Sequence, residues 1–572
     1  MLSLKRLAYV LLIVFGICGI FIIYSLNENR EREASISNPV VEEKELIQRE
    51  SLPESQEPVF YVVGSEEKET CKNIYKNVCQ LMEDMKVSWS KKEKIGTEEL
   101  ENHKVILIFC DDTASSYIDL PLLVRFMEEG GKVIMAAGVP EGYEDSYLMP
   151  VLGITEKTNK ESYAKFHFTR PFLVMQEEDM TYGSYNVSTC LTVRKDAVVY
   201  MEEAEKQVPV LYTYPYGKGE ALVVNGTFLN DAGCMGFLTA GIGCLLGEFI
   251  YPVLGTENIY LDHFPVVTYV NDPACMKLYG RTTESFVRDV VWPVFQGIAV
   301  RNEIKYTSSV LCVSSRKGAF PAISQSLFHT MGKSALQYNG EMAYASDCRR
   351  TAPVYRNNAF INDFEQTFEN YHISSLVMIS GQPAYQSIDV LAKKFQMVRG
   401  KLDADNPKER MAMLEDYGVF PEATEGTSLE EGNMLEIASV LTSHGMVSHT
   451  FDLNQLLDME GENAHWDEDR EKIMNFEKKI LRKTSYLEKV TLSETKNALN
   501  SYESLEYTWK QKGNKRFLYA TQFVKGQPFL VRTTDQITKA QGAEYEKIAD
   551  DYYLLHLNSS KAVITIEKGG GE

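Results

Sequence analysis

Side chains that move protons or hold metals matter most where a strand hands over to a loop, because open α/β sheets and barrels meet their ligands there. Residues 260–270, YLDHFPVVTYV, have the pattern of a strand and its exit loop, which sets Asp262 beside His263 at the strand end. His449, in GMVSHTF, lies near the end of another strand candidate. Asp272, in VNDP, is a third acid close by in sequence, and the following Pro273 also makes it a natural turn former. Trp466, in ENAHWDED, has polar neighbours and suits stacking on a sugar ring. Trp292 shares a helical face with Phe286, Val290 and Phe295, so a core role is expected. His329, in SLFHTMG, stands alone on an apolar face.

The cysteines argue for packing and not for chemistry. There are ten, one of them, Cys18, within an apolar run; the other nine are irregularly spaced and form no CxxC. A disulfide framework or structural zinc site is not expected, and small buried core residues are. Cys110 ends the apolar run VILIFC, but Asp111 and Asp112 follow it, and carboxylates raise a thiol's pKa and quench its reactivity. Phosphate-cradling GxGxxG and P-loop patterns are absent.

Several kinds of element position these residues. Residues 7–26 form an uncharged apolar run of 20 residues, long enough to span a bilayer as a helix. Lys5 and Arg6 precede it, which places the N-terminus in the cytoplasm and the rest outside. NENRERE follows the run where a cleaved signal peptide would have small residues. Residues 1–26 are therefore expected to be the cytoplasmic tip and anchor, and the polar residues 27–57 a flexible stalk. Residues 58–255 alternate strand and helix signals, the pattern of a parallel sheet covered by helices. They include PVFYVVG, KVILIFC and KVIMAAG, and later VPVLYTYPYGKGEALVVNGT, two strands with a turn at Tyr216–Gly219. Residues 256–514 repeat strand–helix units of the size that builds a (β/α) barrel. Residues 515–572 shift to strand signals and are expected to form a small β-rich accessory domain. The fold class expected is thus α/β, in two or three domains for 572 residues.

Composition narrows the partners. Hydrophobic residues at 44% and aromatics at 11% exclude a disordered chain. A net charge of −21 argues against nucleic acid and anionic lipid as main partners, and suits a cationic polymer.

Two resemblances sharpen these expectations. The strand–helix–GGKVI order and the YGKGEALVVNG hairpin resemble the class I glutamine-amidotransferase-like (flavodoxin-like) domains, without their Gly-x-Cys-x-Gly elbow. The stretch Tyr260–Val310 combines YLDHFP, YGRTTESFVRDVVWPVF and EIKYTSSV. It resembles a bacterial family of membrane-anchored proteins related to the polysaccharide deacetylases (NodB-like), which carry an amidotransferase-like domain in front. Several members are encoded with machinery for Pel-type exopolysaccharide, a partly deacetylated amino-sugar polymer. The resemblance covers most of residues 58–570. It implies a deacetylase-like barrel in which Asp262 stands at the position of the catalytic base and His263 at that of a metal-binding aspartate. Imidazole is an acceptable zinc ligand. The region resembling the histidine-pair motif, residues 332–346, contains no histidine, and Gln337, Tyr338 and Asn339 stand there instead. FPEATEGT, residues 420–427, falls where related proteins have a Pro-Arg pair.

The departures favour a membrane-tethered, non-enzymatic protein without cofactor. It would bind or guide an amino-sugar exopolysaccharide, or scaffold its export machinery. The alternative is a divergent metal-dependent deacetylase or hydrolase, in which Asp262 acts as base and His263, with Asp272 or the late-strand His449, builds an unusual site for a divalent metal such as zinc. A third reading, a glycoside hydrolase, needs two carboxyls about 5–5.5 or 6.5–9.5 Å apart across a cleft.

Overall fold

The computed structural model describes residues 57–100, 104–140, 142–265, 272–311, 325–347, 432–457 and 466–568, short pieces between 14 and 54, and mainly strands between 371 and 429. The apolar run 7–26 lies outside the described residues apart from 14 and 16–19. Among the described residues no helix is long and apolar enough to cross a membrane.

The chain is a mixed α/β protein. It begins with β1 (Val59–Val63), α1 (Lys72–Asp84), β2 (Trp89–Lys91), β3 (Val105–Phe109), α2 (Leu120–Glu129) and β4 (Lys132–Met135). The four strands are parallel, in the order β2-β1-β3-β4. All five residues of β3 are buried, as expected where helices cover both faces of a sheet. Along α1 the residues Ile74, Val78, Leu81 and Met82 recur at helical spacing and are buried. The sheet continues through β5 (Ile154–Phe168), β6 (Asp179–Val193), β7 (Val198–Glu203), β8 (Pro209–Tyr216) and β9 (Gly219–Val224), with β9 parallel to β4. The β8–β9 hairpin pairs Tyr216 with Gly219, at the expected turn. Then come α3 (Met235–Leu246) and β10 (Glu248–Pro252).

A parallel barrel follows. Its strands are β11 (Thr256–Asp262), β12 (Tyr306–Leu311), β13 (Glu341–Asp347), β14 (Ser375–Ile379), β15 (Met397–Lys401), β16 (Tyr417–Glu422), β17 (Thr424–Glu425) and β18 (Met446–Asp452). Each pairs in parallel with the next from β11 to β16. Only Ala423 separates β16 from β17, β17 pairs with β18, and β18 with β11, so the ring closes. Counting β16 and β17 together, the ring has seven strand positions among the described residues. Helices α4 (Asp272–Tyr279), α5 (Trp292–Asn302), α6 (Gln325–Gln337), α7 (Asn433–His444) and α8 (Trp466–Phe476) are interspersed.

The two faces of β11 divide cleanly. Tyr260 clusters with Ala343, Met446, Leu492 and Leu499 inside the ring, whereas Ile259 and Leu261 pack outward among helix residues such as Phe295 and Phe476. The floor is closed from below by β19 (Glu488–Lys489), which pairs with the start of β11, and by α9 (Thr495–Ser504). Asn258 Nδ2 donates to Val490 O and Thr495 Oγ1, and the Leu492 amide donates to Thr307 Oγ1.

The C-terminal strands are β20 (Glu506–Lys512), β21 (Lys515–Thr521), β22 (Gln527–Thr533), β23 (Gln536–Gln541), β24 (Ala543–Ala549), β25 (Tyr552–Leu557) and β26 (Lys561–Glu567). They make two four-stranded sheets, β20-β21-β26-β23 and β10-β22-β25-β24, over a core that includes Ile250, Leu518, Phe529 and Ile564. The boundary expected at 514/515 falls inside the β20–β21 hairpin, and β10 joins this unit from before residue 255. Part of the expected stalk is also bound here. Leu46–Ile47 pairs with Phe523–Val524, and the Arg49 amide donates to Thr521 Oγ1.

The three units meet at the end of α1. Tyr502 donates its hydroxyl to Asp84 O, Tyr507 donates to Met85 O, and His444 Nε2 lies 3.0 Å from Asp84 Oδ2.

Candidate functional site at the barrel mouth

Every residue of β11 is buried, and the strand delivers Asp262 to its C-terminal end. Register sets Asp262 opposite Ser309 of β12 on one side and Asp452 of β18 on the other. Neighbouring strands lie about 4.8 Å apart, so three polar side chains stand in a row across the inner rim. Ser309 Oγ donates to Asp262 Oδ1 at 2.6 Å. His263 then turns the chain with φ +59°, a left-handed conformation that a residue with a Cβ adopts only under local compulsion. Two contacts supply it. The His263 ring pairs through Nδ1 with Asp452 Oδ1 at 2.6 Å, and Phe264 packs its ring 4.5 Å from that of Trp292. Asp262 and His263 are 3% and 6% exposed. The arrangement offers two carboxylates, a hydroxyl and an oriented imidazole at the strand ends where barrels hold ligands.

The other expected site residues lie elsewhere. Asp272 begins α4, and its Oδ1 accepts the Thr283 amide at 2.8 Å, so it is a turn and capping residue. His449 is in register with Ile259 and therefore on the outer face of the barrel wall, not at its mouth. Its ring lies 4.1 Å from that of Phe476, Nε2 donates to Gly426 O, and Nδ1 accepts from Thr424 Oγ1. Burial pushes its pKa down to about 3, so it is neutral at physiological pH. Trp466 is 6% exposed and meets the edge of Phe286, which removes it as an exposed sugar platform. Its amide donates to the Tyr279 hydroxyl. The core role expected for Trp292 holds: it is buried, and its Nε1 donates to Ser334 Oγ. The side chain of His329 lies outside the described residues.

Among the described residues, one set of three acidic, thiol or imidazole groups has ligand atoms within 4.8 Å of one another, and it is Cys71, Asp111 and Asp112. Asp262, His263 and Asp272 do not form such a set. The Cys71 group already holds a cation. Lys68 Nζ lies 2.7 Å from Asp111 Oδ1 and also pairs with Asp112. Burial works against the ammonium, but the two carboxylates outweigh it and raise the Lys68 pKa. Burial pushes the neighbouring Cys110 thiol well up, which keeps it protonated and unreactive.

Sequence reasoning missed Ser309 and Asp452. Both lie on recognisable strand runs, but their partnership depends on which strands close the ring.

The model of a bacterial family, described as an uncharacterised protein conserved in bacteria (DUF2194), matches residues 59–339 and 399–554. No curated protein matches. Solved structures with local similarity include a β-galactosidase from Bacillus circulans sp. alkalophilus, at 14% identity over 35% of this chain and 34% of that one, with a TM-score of 0.23. A ThuA-like protein from Bacteroides uniformis matches at 9% identity over 34% of this chain and 94% of that one, with a TM-score of 0.25. A cytoplasmic protein from Salmonella typhimurium LT2 matches at 12% identity over 33% and 97%, with a TM-score of 0.24. The chain spans about a third of the length of the β-galactosidase it matches. With more than half of its length matched by the family model, the chain belongs to the bacterial family DUF2194.

Proposed function

We propose that this chain is a membrane-tethered, extracytoplasmic protein whose barrel mouth engages an amino-sugar exopolysaccharide, guiding it or scaffolding its export. The observation that carries this reading is the row Ser309–Asp262–Asp452 at the strand ends. Carboxylates bind an ammonium group by charge-assisted hydrogen bonds, and a hydroxyl beside them suits sugar hydroxyls. The apolar run 7–26, the net charge of −21 and the resemblance to the polysaccharide-deacetylase relatives all support it. The β2-β1-β3-β4 order, a doubly wound arrangement, supports an amidotransferase-like domain in front. The test is binding of glucosamine oligomers and fully N-acetylated oligomers to the full chain in detergent. Preference for the free-amine oligomer, lost at least tenfold in Asp262→Asn/Asp452→Asn, is the expected result. Equal affinity for both polymers, or a double variant that binds as well as the parent, would sink it.

One observation favours the divergent metal-dependent deacetylase as a second reading. Asp452 holds His263 through Nδ1, as carboxylates commonly orient metal-binding histidines. His263 and Asp262 would hold a divalent ion, which when bound polarises water and carbonyl. Stoichiometric zinc that disappears with His263→Ala, together with acetate release, would establish it over pure binding.

A further inference from the structure

The chain ahead of β1 is tied to the underside of the barrel. Ile36 and Ser37 pair in parallel with Tyr371 and His372, which come just before β14. β14 runs parallel to β13, and through β12 to β11. Residues ahead of its first position, Ser375, therefore lie at the floor end of the barrel and not at the mouth. Asn497 Nδ2, on the floor helix α9, donates to Glu42 O at 2.7 Å. Lys44 Nζ lies 3.7 Å from a carboxylate oxygen of Glu488 in β19, also at the floor. Val41 and Lys44 share a cleft with Leu254, Lys525 and Gln527. From there the chain crosses to the C-terminal sheets. Leu46–Ile47 pairs with Phe523–Val524, and the Arg49 guanidinium carbon lies 5.0 Å from the centre of the Tyr519 ring. This strap is held at points spread from Ile36 to Arg49, and its first points lie under the barrel.

The apolar run ends at Leu26, so nine residues, 27–35, separate it from the first held point. Nine residues reach about 30 Å when fully extended and about 17 Å as a flexible coil. The climb from floor to mouth is about 20 Å along β11 alone. A chain coming from the mouth side must also round the helix layer, about 10 Å thick. That path consumes the whole extended length, whereas a chain arriving at the floor needs none of it. A stalk free as far as residue 57 would reach about 100 Å and set no preference.

We propose that this short tether stands the barrel floor-down on the membrane, with Asp262 and Asp452 opening away from the lipid. The inference rests on the reading of residues 7–26 as a membrane anchor and adds the direction in which the mouth faces. The floor is the face that meets lipid headgroups, and a polymer reaches the acidic row only after it has left the membrane surface.

The test uses the full chain in nanodiscs of phosphatidylcholine and phosphatidylglycerol. A donor fluorophore is attached through a genetically encoded azide at Lys525, beside the floor cleft, or at Lys277, in α4 beyond the exit of β11. Both positions are exposed. The two labels differ in height by about 20 Å, so energy transfer to an acceptor-labelled lipid should be about twofold or more stronger from Lys525. Inserting about twenty Gly and Ser residues after Ala34 should erase the difference and leave the protein in the membrane. Equal or reversed transfer in the parent would overturn the orientation with the anchor intact. A difference that survives the insertion would overturn the tether as its cause. Release of the parent from membranes by alkaline carbonate would instead remove the anchor, and the orientation with it.

Discussion

Asp452 is the residue on which the geometry of the mouth turns. It holds Nδ1 of a histidine whose backbone sits in the left-handed region, so removing its charge releases both ring and turn. Asp452→Asn is expected to weaken free-amine oligomer binding about tenfold, and to cost about 1–3 kcal/mol of stability by exchanging a charge-assisted bond for a neutral one. Isothermal titration and denaturant unfolding on the same samples separate the two effects. His449, by contrast, matters for acid stability and not for binding. Its pKa falls from 6.5 to about 3 on folding, so the native state prefers the neutral ring. That preference stabilises the fold fully above pH 6.5 and is lost as pH falls toward 3, for a total on the order of 4 kcal/mol. Replacing His449 with the non-titrating Gln should flatten the stability profile between pH 6.5 and 3 and leave oligomer affinity unchanged. An unchanged profile would show that His449 does not drive acid unfolding. The sequence made Asp262 and His263 visible because adjacent polar residues end an apolar strand run. It could not separate His449 from them, since inner and outer faces differ by a single step along the strand and only pairing register decides between them.

At the scale of elements, strands with strong apolar runs were legible and the ones that cross between units were not. KVILIFC and the hairpin around Tyr216–Gly219 stand where their patterns put them. The strand Glu248–Pro252 looks from its sequence like the end of the first domain, yet it pairs with Gln527–Thr533, nearly 280 positions on. The segment before β1 was misleading for the same reason. Its polar composition suggests a free stalk, but the short apolar pair Leu46–Ile47 finds an open strand edge at Phe523–Val524. Glu57 belongs to this attachment and accepts the Trp509 amide. Burial, only partly opposed by that hydrogen bond, raises its pKa to about 8. A folded pKa above the unfolded 4.5 means the neutral acid is favoured in the native state. Its contribution is complete below pH 4.5 and disappears as pH rises through 8. Glu57→Gln, which keeps shape and removes the charge, should therefore stabilise the chain at pH 8–9 relative to the parent and make no difference at pH 4. Thermal melts at the two pH values decide it, and equal shifts at both would mean that Glu57 is solvated in the native protein.

At the scale of the whole molecule, two of the links between the units are a crossing of two helices and a cluster of polar side chains, and neither is visible in any one segment. Helix α3 of the first domain lies on α7 of the barrel so closely that the Gly236 amide donates to Ser439 Oγ at 3.0 Å. A Cβ at Gly236 would stand 2.0 Å from the Ser439 carbonyl oxygen, which belongs to helix backbone and cannot turn aside. Beside this crossing, His444, Tyr502 and Tyr507 converge on the end of α1 from the barrel, the floor helix and the C-terminal sheets. The strand that carries Asp452 begins directly after α7, at Met446, so the seating of the first domain also sets the height of one side of the mouth. Gly236→Val should push the two helices apart at a cost of about 1–3 kcal/mol or more, the range for overpacking a dense interface. The expected signature is not uniform destabilisation. The single thermal transition of the parent should split, with the first domain melting earlier than the barrel, and oligomer affinity at the mouth should fall even below the first transition. Tyr502→Phe, which removes one hydroxyl from the junction without adding bulk, should lower stability by about 1 kcal/mol and keep one transition. A Gly236→Val protein that still melts in one step with parental affinity would mean that the helix crossing is not what couples the domains, and that the first domain does not steady the mouth.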